Sequence, residues 1–246
     1  MHIYFVNIIV GLLSVIFGYL LGAIPTGVVI GKAFFHKDPR DYFSHNSGGT
    51  NSGRVLGKKI GVLVIVLDAV KAIIALYGVW AILMFTPLRE YTLWSNGYDA
   101  APLYYWAAGL AAAIGHCYPI YIGFKGGKAV SCFVGISAWV SWLEFLVCFA
   151  SFFGFLFKKK MVSLGSMVMA IVGSLTMWVL AIVRATTGWN VNVFAWDFGQ
   201  SPVTFPVLGF EAAVTLTIVA ILIIARHRAN IKRLKEGTES KVTWIK

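Results

Sequence analysis

Long apolar runs separated by short basic loops constrain this chain more than any other feature. The runs fall at about 3–24, 60–86, 103–122, 130–157, 162–183 and 206–225. Each is near the ~20 residues a helix needs to cross a ~30 Å hydrocarbon layer. Charged residues make up only 13% of the 246 and the mean hydropathy is +0.78, whereas soluble domains carry roughly 25% charged residues. The fold class this implies is an all-α integral membrane bundle forming a single polytopic domain over 1–246. No cleavable leader is evident, so the first run reads as a membrane helix. Cys117, Cys132 and Cys148 lie in or beside apolar runs without metal-like spacing and read as small buried hydrophobes.

Charge decides how many times the chain crosses. The net charge of +11 would suggest nucleic acid in a soluble protein, but cytoplasmic loops of membrane proteins retain Lys and Arg. If 130–157 were one helix, Lys158–Lys160 and the basic C-terminus would fall on the face opposite the loop 31–59. A turn near Trp139–Glu144 resolves the conflict, since Trp139, Ser141, Trp142 and Glu144 have the character of an interface. The spans become 3–24, 60–86, 103–122, 129–140, 143–157, 162–183 and 206–225. With seven spans, the N-terminus outside and the C-terminus cytoplasmic, 18 of the 21 Lys and Arg share the inner side. The fourth span is short, rising only ~18 Å as a helix. The outer stretches 87–102 and 184–205 read as caps.

Three inner segments carry more chemistry than topology requires. The first, DYFSHNSGGTNSGRVLG over 41–57, gathers Ser44, Asn46, Gly48, Thr50, Asn51 and Arg54. Glycines let a backbone turn inward, hydroxyls and carboxamides hydrogen-bond, and arginine offers a bidentate fork for phosphate. The second, GHCYPIYIGFKGGKAV over 115–130, sets Gly126 and Gly127 between Lys125 and Lys128 just before a helix, a place suited to anions. Ile122 and Ala129 break the Walker A pattern, so ATP is not implied. The third, RHRANIKRLKEGTESK over 226–241, brings His227, Arg228 and Asn230 closest to the membrane. Inside the second span, Asp68 and Lys71 share a helix face, which mutual neutralisation explains. His116 reads equally as an acid–base group or a hydrogen-bonded structural histidine. His36 and Asp41 form an H-x-x-x-x-D pattern, but no glycine–arginine substrate motif accompanies it in the usual order.

Together the three segments resemble the bacterial membrane acyl-phosphate:glycerol-3-phosphate acyltransferases, the PlsY family. Its first motif, S-G-N-x-G-x-T-N followed by arginine, meets Ser44, Asn46, Gly48, Thr50, Asn51 and Arg54 in step. The second, G-H-x-x-P and then F-K-G-G-K, meets Gly115, His116, Pro119 and Phe124 to Lys128. The third, H-R-x-N-I-x-R-L-x-x-G-x-E, meets His227, Arg228, Asn230, Ile231, Arg233, Leu234, Gly237 and Glu239. An early G-x-I-P-x-G falls at Gly22, Ile24, Pro25 and Gly27. The chain departs from the pattern at His45 and Ala129, where the family usually has glycine, and its outer loops are longer.

The resemblance implies seven helices, a cytoplasm-facing site in the inner membrane, and acyl transfer from acyl phosphate to the 1-hydroxyl of glycerol 3-phosphate. It implies no metal and no cofactor, a soluble partner enzyme, PlsX, that makes the acyl phosphate, and no nucleic acid. The catalytic set it implies is Ser44, Arg54, Lys128, Asn230 and His227. Asn46, Gly48, Thr50, Asn51, His116, Lys125, Gly126, Gly127 and Arg228 would complete substrate binding. A transporter or channel for small phosphorylated anions is the alternative, disfavoured by the absence of an internal repeat and of polar segments on the outer side.

Overall fold

A computed structural model describes residues 2–93, 97–189 and 209–242. Among them are eleven α-helices: α1 (His2–Gly22), α2 (Thr26–Phe35), α3 (Gly49–Leu56), α4 (Lys58–Phe85), α5 (Leu88–Thr92), α6 (Ala101–Cys117), α7 (Val130–Val140), α8 (Trp142–Lys159), α9 (Val162–Thr187), α10 (Phe210–Arg226) and α11 (Arg228–Lys235). The described chain is all-helical, apart from turns and one isolated bridge between Leu93 and Asp99. Most of the outer stretch 184–205, and Lys246, lie outside the described residues.

Three helical stretches are long and apolar enough to cross a bilayer: Tyr4–Phe35, Lys58–Phe85 and Val162–Thr187. The pair Phe210–Arg226 and Arg228–Lys235, bent by 58°, makes a fourth if taken as one span. Their outward faces are apolar: Phe5, Ile8 and Leu12 on α1, Val62 on α4, and Leu175 and Val179 on α9 are all exposed. Water would penalise such continuous patches, whereas lipid accepts them. The helix also breaks at Ser141, inside the Trp139–Glu144 stretch. Ser141 is extended (φ −142°) and its side chain accepts from the Glu144 amide, capping α8. The eleven-residue α7 before it rises roughly 16 Å.

The chain forms two compact units, residues 1–136 and 137–246. In the first, α1 lies along α6 and both pack on α4. Small residues permit that approach. A Cβ on Gly18 or Gly22 would stand 2.2 or 2.1 Å from the carbonyl oxygen of Ala108 or Ala112, the close contact that holds membrane helices where no hydrophobic force drives them together. The turn at Ala23–Pro25 ends α1, and α2 follows it. The sequence reading ends the first span near residue 24 and assigns no helix to Thr26–Phe35. In the second unit, α8 and α10 flank α9, with Trp178 Nε1 donating to Thr217 Oγ1 at 2.9 Å. Cys117, Cys132 and Cys148 are free and buried.

Candidate functional site

The first motif is a loop held from within. Asn51 Oδ1 accepts from the Ser44 backbone amide at 3.1 Å and from its hydroxyl at 2.9 Å. The Asn51 amide donates to Pro39 O at 2.7 Å, Asn46 O at 2.8 Å and Tyr42 O at 3.3 Å. Asn46 Oδ1 closes the next turn on the Gly48 amide at 2.7 Å. Asn51 is buried and its carboxamide is committed to the loop backbone, so its role is to shape the loop. Ser44, Thr50 and Arg54 are exposed, and Arg54 makes no ion pair among the described residues.

The second motif folds back on the end of α6. The Gly126 amide donates to Cys117 O at 3.2 Å and the Gly127 amide to His116 O at 2.9 Å. A Cβ on Gly127 would stand only 1.9 Å from His116 Nε2, and one on Gly126 would stand 2.2 Å from His116 O. Both glycines therefore serve close packing, and their amides are used inside the turn. Lys128 is half-buried at the start of α7, while Lys125 is exposed. The two loops meet: a Cβ on Gly48 would stand 3.9 Å from Gly127 Cα. A second link joins them. Arg40 grips Asp38 through Nε (3.0 Å) and Nη2 (2.7 Å), and its Nη1 donates to Ile122 O at 3.0 Å. That hydrogen bonding by Arg40 lowers the Asp38 carboxyl to about 2.

The two departures from the family pattern fall where glycine would be easiest. His45 has φ +51° and Ala129 φ +59°, both in the left-handed region that glycine enters without steric penalty. His45 is partly compensated by a hydrogen bond between its Nδ1 and Arg40 O at 2.8 Å. No comparable side-chain contact is open to the methyl of Ala129.

Beneath the loops lies a buried charged cluster. Asp68 Oδ1 accepts from Thr26 Oγ1 at 2.5 Å and pairs with Lys71 Nζ at 2.8 Å. His116 Nδ1 stands 3.5 Å from the same oxygen. Lys71 also donates to Ile24 O at 2.7 Å, and Cys132 Sγ reaches Asp68 O at 3.5 Å. The spacing of Asp68 and Lys71 foretells their pairing. Thr26 and His116 come from other helices, and only the need of a buried carboxylate for donors hints at them.

The third motif lies in the second unit, where α10 bends into α11. His227 is buried with Nδ1 2.8 Å from Ile223 O, and Arg228 is exposed. Glu239 gathers the segment: its Oε1 accepts from Ser163 Oγ at 2.6 Å and Asn230 Nδ2 at 2.7 Å, and its Oε2 from Arg233 Nε at 2.7 Å. Burial pushes this carboxyl up, but the three donors prevail and hold it below its ordinary range. The Val242 amide adds a bond to Lys160 O at 2.7 Å. His36 and Asp41 are both exposed, and no hydrogen bond joins their side chains among the described residues.

Known proteins resemble this chain over nearly its whole length. A family model described as glycerol-3-phosphate acyltransferase matches residues 12–237. A glycerol-3-phosphate acyltransferase of Macrococcus caseolyticus is 37% identical over 95% of this chain and 98% of its own length. One of Staphylococcus haemolyticus is 38% identical over 94% and 96%. Among solved structures, PlsY (YgiH), an integral membrane glycerol 3-phosphate acyltransferase, matches in its glycerol 3-phosphate form. The TM-score is 0.71 at 33% identity, over 94% of this chain and 95% of that one.

Proposed function

Because the chain belongs to the glycerol-3-phosphate acyltransferase family, we propose that it transfers a fatty acyl group from acyl phosphate to the 1-hydroxyl of glycerol 3-phosphate. The products are 1-acyl-glycerol 3-phosphate and inorganic phosphate. The observation that carries this reading is the meeting of two glycine loops at Gly48 and Gly127, each followed by a cation, Arg54 and Lys128. Two phosphate-bearing substrates need two such places side by side.

In this reading Arg54, Lys128 and Ser44 hold glycerol 3-phosphate, and the family pattern adds Asn230 and His227 to that set. Thr50, Gly126 and Gly127 shape the acyl-phosphate pocket, with Asn51 and Asn46 fixing the loop that presents Thr50. Acyl phosphate is already activated. The hydroxyl oxygen attacks the acyl carbon, the carbon–oxygen bond to phosphate breaks, and the hydroxyl proton leaves on the phosphate. The protein supplies positioning and positive charge and forms no covalent intermediate. The topology proposed with it has seven spans, the N-terminus outside, and the site facing the cytoplasm of a bacterial cell, where PlsX would supply the donor.

The test is purified protein with acyl phosphate and glycerol 3-phosphate, following phosphate release and lysophospholipid. Phosphate and lysophospholipid should form together in equal amounts, and Arg54→Ala should abolish turnover at parental expression. Absence of product from folded protein, or uptake of labelled glycerol 3-phosphate into liposomes in its place, overturns the reading.

A further inference from the structure

Asp68 has no place in the chemistry proposed above, yet it is almost fully buried and holds groups from several elements. Thr26 opens α2, and the next residue, Gly27, backs the first loop. A Cβ there would stand 2.3 Å from Ser47 O and 2.5 Å from Ser52 Oγ. His116 ends α6, with Nδ1 toward Asp68 and Nε2 in the space a Gly127 side chain would fill. Lys71 ties the same carboxylate to the α1–α2 turn through Ile24 O. One carboxylate thus touches the support of each glycine loop. Neutralising Lys71 needs none of this, because a helical partner three residues away already suffices. Burying a charged cluster is costly even when it is paired.

We propose that Asp68 is a positioning residue that sets the spacing of the two glycine loops from beneath, through Thr26 to the first and through His116 to the second. The inference rests on the acyltransferase reading for its kinetic consequence but not for its geometry. If Asp68 served only to neutralise Lys71, removing both charges together would leave the loops unmoved. If Asp68 positions the loops, both loosen although no unpaired charge remains.

The experiment is therefore the double variant Asp68→Leu, Lys71→Met, which removes both charges and the oxygen that accepts from Thr26 and faces His116, purified beside the parent. Hydrogen–deuterium exchange is read over 44–52 and 124–130, and KM is measured for glycerol 3-phosphate and for acyl phosphate. Faster exchange in both segments is expected, and both KM values should rise about tenfold, whereas loss of active protein alone moves neither KM. Parental exchange in either segment overturns the proposal, whether or not the enzyme turns over. If the parent itself makes no lysophospholipid, the acyltransferase reading has failed while the exchange measurement still decides this one. Should the double variant not fold, Thr26→Val removes one donor from the carboxylate. Faster exchange over 44–52 alone supports the proposal, and unchanged exchange there overturns it.

Discussion

Two carboxylates organise the motif regions, and they differ in what they connect. Asp68 sits inside a membrane helix and draws together Thr26, Lys71 and His116 from three helices. Glu239 lies in the tail after the last long helix and binds Asn230 and Arg233, both within nine residues of it in sequence, with Ser163 its one distant partner. The first is a hub between helices, and the second is a clasp that folds one motif onto itself. A hub in hydrocarbon has no water to fall back on, so losing it should cost more than losing the clasp.

Three measurements bear on that contrast. Asp68→Ala strands Lys71 and His116 in the bundle and should lower unfolding stability in detergent by about 3–5 kcal/mol. Glu239→Ala removes three hydrogen bonds, two of them to uncharged donors, and should cost about 2–3 kcal/mol. It should release Val242 from Lys160, visible as faster amide exchange at residue 242. If Glu239→Ala proves the worse of the two, the distinction between hub and clasp is wrong.

Ala129→Gly relieves a left-handed alanine and should stabilise by about 1 kcal/mol. His45→Gly should change stability by no more than about 0.5 kcal/mol, because the relief is offset by the lost bond to Arg40 O. Equal gains at the two sites would deny His45 its compensating role.

The smallest effect is on pH dependence. Asp38 and Glu239 both have folded-state pKa values below their ordinary ones, so each contributes stability that is present above the unfolded value and lost as pH falls through the folded one. For Asp38 that window runs from the ordinary value, 3.8, down to about 2. Protection factors around Arg40, with the intrinsic pH dependence of amide exchange divided out, should therefore be constant at and above about pH 5 and fall only below about pH 4. A fall in those protection factors between pH 7 and 5 would show that another group holds this loop.

The Ser141 break was legible because interface residues and the basic run Lys158–Lys160 both demanded a turn there. So was the Asp68–Lys71 pair, since three residues along a helix bring two side chains to one face. The division of labour among the motif residues was not. Asn51 reads in the sequence as part of the substrate-binding set, and in the structure its carboxamide is bonded to its own loop. Gly126 and Gly127 read as a glycine turn suited to an anion, and in the structure their amides bond the end of α6. Both outcomes depend on how each loop turns back on residues 5 to 12 positions earlier, which the motif pattern does not state.

By itself, then, the sequence determined a membrane-embedded helical chain with three polar segments, their order, and the family that order belongs to. Hydropathy and helical periodicity are local properties, and motif spacing is read directly along the chain. Only the tertiary structure decided that Gly48 meets Gly127, that His45 and Ala129 occupy left-handed positions, and that Thr26 and His116 reach one buried carboxylate. Those facts follow from packing between segments 40 to 80 residues apart, and packing at that range is set by which side chains must share donors in a medium that offers none.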